Sequence, residues 1–145
     1  MVVHAHTLQL ETTQGVSIFD INEAIQKRIV ESGVTNGFAI ISSRHTTTAI
    51  TINENESRLM EDLRHFFARL VPEGDAYLHN DIHLRDCDPD EPENAHSHII
   101  AMLLGSSEAI PIVHGKLELG QWQSVMLVEL DGPRSRNVSI QICGE

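Results

Sequence analysis

The sequence predicts an α+β fold: one compact domain with a mixed or antiparallel β-sheet core and three helices. Three observations lead there. Apolar residues recur at helical spacing in separated stretches, while others alternate with period two or form short β-rich runs. The order of these stretches suits helices laid against one face of a sheet. Finally, the 145 residues contain no repeat, low-complexity tract or linker, and are enough for one substantial core.

In chain order, residues 3–12 alternate, with His4, His6, Leu8 and Leu10 on one face, as a strand does. Asp20 and Glu23 are spaced as a capping box, and Ile21, Ala24, Ile25 and Ile29 form a helical stripe ending at Gly33. "GFAIISS" (37–43) and "TTAITIN" (47–53) read as strands. Leu59, Met60, Leu63, Phe66, Phe67 and Leu70 share the broad apolar face of a second helix, which stops at Pro72 and Gly74. Residues 75–94 are acidic and hold two prolines, a connection long enough to suggest function or mobility. Asn94 can cap a third helix to about Leu104, apolar nearly all round and therefore expected to be buried. Beyond it lie "AIPIVHGKLEL", "QWQSVMLVEL" and "RNVSIQICG", all β-like, with "DG" before Pro133 as a hairpin signal.

The formal charge of −11 argues against nucleic acid and anionic membrane surfaces as partners, since both require a basic footprint. An anionic substrate would need local arginines or a metal ion. Cys87 and Cys143 form no C-x-x-C pair, which argues against a disulfide framework and fits a reducing compartment. The amino-terminal stretch has neither a basic start nor a long apolar core, and "IIAMLLG" is too short to cross a bilayer. A cytoplasmic chain is the expectation.

Nine histidines are many for this length, and neutral imidazole is a common zinc ligand. No H-E-x-x-H spacing fixes two of them on one helix face. In "NAHSHI", His96 and His98 would diverge by about 200° on a helix and share a face only if extended. His98 is the favoured member, with helix-start hydrogen bonding as the plain alternative for both. In "YLHNDIH", Asp81 can orient an imidazole or act as a base, while a solvated loop suits His83 better. His4 and His6 read as structural, and His65 as surface. His45 precedes three threonines whose hydroxyls could bind phosphate oxygens; the alternative, β-propensity, explains the threonines well. Asn53 and Glu56 fit a helix-start box, which leaves Glu54 less easily explained. Arg134 and Arg136 share a face if a strand has begun, a pairing suited to pyrophosphate. Ion pairs with the chain's own carboxylates are the competing explanation.

Taken together, "SRHTTTAITINENE", "YLHND", "NAHSHI", "LLGSSEAIPIVHGKLELGQWQ" and "DGPRSR" resemble the YjbQ-like family, the secondary thiamine-phosphate synthases, over nearly the whole chain. The triple threonine at 46–48 departs from a more familiar Thr-Thr-Ala run. The resemblance implies a homotrimer with histidine-lined metal sites. It also implies a reaction joining a pyrimidine pyrophosphate to a thiazole phosphate, with release of pyrophosphate. Carried over by position, the motif histidines fall on His45, His79 and His98, with His96 as an additional candidate ligand. The acidic and amide positions fall on Asn53, Glu54 and Asp81, expected to be catalytic. Arg134, Arg136, Thr46 and Gln123, the last beside Trp122, are the expected phosphate and substrate contacts.

A three-histidine site prefers zinc, whereas a diphosphate usually engages magnesium through oxygen ligands. Zinc at the histidines and magnesium with the substrate are thus separate expectations, and small phosphorylated metabolites are the expected partners. The alternative is a non-catalytic metal- or metabolite-binding trimer whose histidines are structural.

Overall fold

The computed structural model describes residues 1–145. Its elements run β1 (Val2–Glu11), β2 (Gly15–Asp20), α1 (Asn22–Ser32), β3 (Asn36–Ser43), β4 (Thr48–Asn53), α2 (Ser57–Leu70), α3 (Ala95–Leu104), β5 (Ser107–Val113), β6 (Lys116–Leu117), β7 (Ser124–Gly132) and β8 (Ser135–Gly144). Two single 3₁₀ turns, Leu78–Asn80 and Ile82–Leu84, interrupt the long connection before α3. The fold is the expected α+β with three helices, and its strands form two sheets. One has the order β1-β8-β3-β5-β6 and the other β2-β7-β4. Every pairing is antiparallel.

Period-two alternation decides what lies between the sheets. Val125 and Leu127 of β7 face the same way as each other, as do Val138, Ile140 and Ile142 of β8. Together with Ile41, Ile50, Ile110 and Ile112, these meet Ile21, Ile25 and Ile29 around α1 in the larger core. The opposite parity of the small sheet, Ala49, Val128 and Leu130, packs against Phe67 and Val71 at the end of α2 and Ile100 and Ala101 of α3. The layers are therefore large sheet, small sheet, then α2 and α3. A fully buried isoleucine contributes about 1.5–3 kcal/mol through its removal from water, so the first core dominates stability.

Several local expectations change. Strand β2 is not evident in the apolar pattern, because its half-buried residues include Ser17. The α1 box is not made: Ile21 occupies the cap position and Asp20 Oδ1 accepts the Asn22 N–H at 2.9 Å. Gly33 does end α1 in the left-handed region that glycine tolerates, φ 71°. Glu56 caps α2 through the Arg58 and Leu59 N–H groups, so Asn53 does not cap it.

The "DGPR" segment is not a hairpin. It carries the chain from β7 in the small sheet to β8 in the large one, through a cis Gly132–Pro133 bond. Nor is α3 buried: Met102 and Leu103 are 85% and 65% exposed, because only its Ile100–Ala101 side meets the small sheet. Both cysteines are free. No helix is long and apolar enough to cross a membrane.

Candidate functional site

The same parity that builds the inter-sheet core places two charges at its rim. Glu129 follows Val125 and Leu127 inward on β7, and Arg136 precedes Val138 on β8; they are 0% and 4% exposed. They pair doubly, Arg136 Nε donating to Glu129 Oε2 and Nη2 to Oε1, both at 2.6 Å. Thr12 Oγ1 and the Asp131 N–H also donate to this carboxylate, at 2.6 and 2.8 Å. Arg136 Nη2 further donates to Thr47 Oγ1 at 2.8 Å. Burial alone would raise the Glu129 pKa, but the bonds from Arg136, Thr12 and the Asp131 N–H outweigh it and hold the carboxyl below its ordinary value. Gly132 closes this corner: a Cβ there would stand 2.0 Å from the Thr13 carbonyl oxygen.

Above the pair lies a pocket of about 520 Å³ with no hydrophobic residue in its lining. One wall is the β3–β4 loop, Arg44 to Thr47, and another is the Asp88–Pro92 segment; His98 of α3, Asp131 and Arg134 complete it with Arg136. Asp131 is fixed by Asn94 Nδ2 at 2.7 Å and Arg134 Nη2 at 2.8 Å. A second hollow of about 640 Å³ shares Arg44, His45, Thr46 and His98 and extends along Ala101, Met102, Gly105 and Ser106. The shared residues form a partition between two cavities. Of the three pocket arginines, Arg134 and Arg136 have carboxylate partners and Arg44 has none.

The histidines behave differently from one another. Helix α3 begins at Ala95, so His96 and His98 diverge; His98 lines both hollows and His96 lines neither. His96 instead meets Ser97 Oγ through Nε2 at 3.2 Å, leaving Nδ1 enclosed without a partner. His79 packs edge-on against His98, ring centroids 4.8 Å apart. Asn80 beside it accepts the Ala95 N–H that opens α3, which ties this turn to the helix. His45 Nε2 accepts the Asn137 N–H at 2.8 Å. Burial, then Arg136, lowers the His45 pKa. Burial, then His79, lowers that of His98, against opposing effects from Asp131 and Thr46. Both rings are therefore neutral at pH 7.

This bears on zinc. A metal needs a free nitrogen lone pair, and the Nε2 pair of neutral His45 is engaged, leaving Nδ1 as an N–H donor. His45 thus does not fit as a ligand in this arrangement, and His79 with His98 offers only two. No three His, Cys, Asp or Glu side chains of the chain stand together as a metal-holding group.

The remaining sequence candidates lie elsewhere. Asn53 ends β4, opposite Ser124 at the start of β7, and Glu54 follows it. Five residues of strand separate Thr48 from Asn53, roughly 17 Å. Asn53 Oδ1 accepts the Glu54 N–H, and Gln123 Oε1 accepts the Gly120 N–H, so both serve local turns. Trp122 is exposed. Asp81 joins the two 3₁₀ turns and lines neither hollow. Arg44 and Glu129 were not among the candidates. Their signals are an arginine between Ser43 and His45, and an acid at a strand position whose parity belongs to the core.

Fold and pocket define a class, a small two-sheet α+β protein with a polar, arginine- and histidine-lined cleft at one end of its sheets. A family model described as "UPF0047 protein YjbQ-like" matches residues 6–145, and the chain belongs to that family. A UPF0047 protein of Methanothermobacter thermautotrophicus is 39% identical over 145 residues, covering 100% of this chain and 95% of the relative. One from Archaeoglobus fulgidus is 40% identical over 134 residues, covering 92% and 97%. Among solved structures, a YbjQ-like protein from Sulfolobus solfataricus superposes with a TM-score of 0.88 at 34% identity, covering 99% of both chains. A hypothetical protein from Aeropyrum pernix gives 0.88 at 33% identity, covering 98% and 99%.

Proposed function

We propose that this pocket binds the phosphate groups of a small metabolite, and that the chain is an enzyme of the thiamine-phosphate synthase type. The observation that carries the reading is Arg44, a guanidinium without a carboxylate partner in a chain of 21 acids, on the wall shared by both hollows. Arg44 is exposed on the wall of the pocket, so its guanidinium is free to meet an anion without first breaking an ion pair within the protein. Two adjoining hollows suit two substrates. In the proposed reaction the carbon–oxygen bond to the diphosphate breaks as the bond to the thiazole forms, and pyrophosphate leaves with the bonding electrons.

Arg44, Arg136 and the Thr46 hydroxyl would meet the charge that accumulates on the leaving group. Holding both reactants in register can contribute about 7–11 kcal/mol in well-oriented cases. Neutral His45 and His98 add an N–H donor and a proton acceptor without adding charge. Asn53, Glu54 and Gln123, at the far end of the small sheet, take no part within this chain. The exposed Met102 and Leu103 support assembly with further copies, a homotrimer in this reading.

The test is pyrophosphate release from a pyrimidine pyrophosphate and a thiazole phosphate by the purified chain. Release that is abolished in Arg44→Ala and His98→Ala supports the proposal. Release that survives both substitutions contradicts it. Binding without release in the wild type favours the non-catalytic alternative, to which the backbone-bound His45 already lends support.

A further inference from the structure

The Glu129–Arg136 pair has two features that a merely structural ion pair does not need. First, the donors of Arg136 are divided. Nε and Nη2 are committed to Glu129 and Thr47, while Nη1 makes no hydrogen bond to the protein. The side chain lines the pocket, and Nη1 is not among the enclosed polar atoms without partners. A buried arginine thus keeps one N–H₂ edge for something outside the protein.

Second, the carboxylate is over-determined. It accepts four bonds, from the segment after β1, from the β7 backbone and twice from β8. A carboxylate held on four sides cannot rotate, and a doubly bonded guanidinium is a rigid plane. The pair also joins the two sheets, so the plane is referenced to both.

We infer that Glu129 is a positioning residue, which fixes the Arg136 plane so that Nη1 points at the pocket ligand while cancelling the charge of Arg136. The inference rests on the phosphate-binding reading and adds a division of labour to it. Arg44 supplies charge and Arg136 supplies direction. A ligand with tetrahedral oxygens, inorganic pyrophosphate being the simplest carrying two linked groups, can meet both at once. Arg136→Lys would lose the fork altogether, because an ammonium has no second edge to be held by.

The experiment titrates inorganic pyrophosphate into the full chain and follows arginine side-chain N–H signals by NMR, in the wild type, Glu129→Asp and Arg44→Ala. The aspartate keeps the charge but draws the carboxylate back by about 1.5 Å, one carbon–carbon bond. Positioning predicts that the wild-type Arg136 signals move on binding and that Glu129→Asp weakens binding about tenfold or more below its melting temperature. It also predicts that Arg44→Ala weakens binding and leaves the Arg136 signals of the free protein in place. Glu129→Asp binding within about twofold of wild type, with Arg136 signals unmoved by ligand, overturns the inference and leaves the phosphate reading standing. Wild-type chain whose pocket signals ignore pyrophosphate overturns both. Should Glu129→Asp fail to fold, the wild-type titration decides: Arg136 signals that move support positioning, and Arg44 signals moving alone contradict it.

Discussion

The two ends of the three-stranded sheet use their polar side chains differently. At the Thr48–Asp131 end, polar groups reach across elements: Thr12 to Glu129, Arg136 to Thr47, Asn94 to Asp131. At the Asn53–Ser124 end, the candidates Asn53 and Gln123 bond within a residue or three of themselves. The reaches across elements there are Asn22 Oδ1 accepting the Val125 N–H and Asn55 Nδ2 donating to Asp20, neither of them between buried charges. Long-range, buried bonds rigidify a wall, whereas local exposed ones complete a turn. Only the first end faces a cleft with an arginine that has no carboxylate partner, and the proposed ligand is placed there for that reason.

The largest effect that tests this contrast is on stability. Replacing Arg136 by Met strands the Glu129 carboxylate between the sheets and should cost about 3–5 kcal/mol in denaturant unfolding. Replacing both partners with apolar residues should cost less than Arg136→Met alone. A loss under about 1 kcal/mol for Arg136→Met would show that the pair is not the sealed unit described here.

Next in size, Arg44→Ala should weaken inorganic pyrophosphate binding by about 10- to 100-fold, from the loss of a charge-assisted bond, with the unfolding midpoint unchanged. Calorimetric titration measures the first and thermal melting the second. An equal loss in affinity from Gln123→Ala would erase the distinction between the two ends. The expected change for Asn53→Ala, Glu54→Ala and Gln123→Ala is within about twofold.

Smaller effects come with pH. His45 and His98 titrate below their reference value of 6.5 in the folded chain. Unfolded chain therefore takes up protons first as pH falls through 6.5, and stability declines until the folded rings protonate too. Glu129 lies below 4.5, so its contribution is complete above 4.5 and is lost as pH falls through its folded value. Unfolding free energy measured from pH 7 to 5 should fall, with a shallower slope in His98→Gln. An unchanged slope would mean that the His98 ring is not held neutral by its surroundings.

Much of the fold is legible in the sequence because periodicity is a local signal. The alternation of 3–12, the isoleucine stripe of α1 and the aromatic face of α2 each report one element without reference to another. What fails is relational. "DG" marks a turn, but whether it joins neighbours in one sheet or passes between sheets depends on where β2 and β3 pair. The burial of α3 fails for the same cause, since an all-round apolar helix does not state how many sides will be covered. At the site, the loop histidine His45 and the helix residue His98 are legible as candidates. The tautomer of His45 is set by the Asn137 backbone, far along the chain. Likewise Arg134 and Arg136, two residues apart, look equivalent until Glu129 and Asp131 claim one each.

The most direct test is a crystal structure of the chain with inorganic pyrophosphate. The anion is expected between Arg44, the Arg136 Nη1 edge and the Thr46 hydroxyl, beside His98. Pyrophosphate seated instead at the Asn53–Gln123 end, with Arg44 and Arg136 untouched, would contradict it.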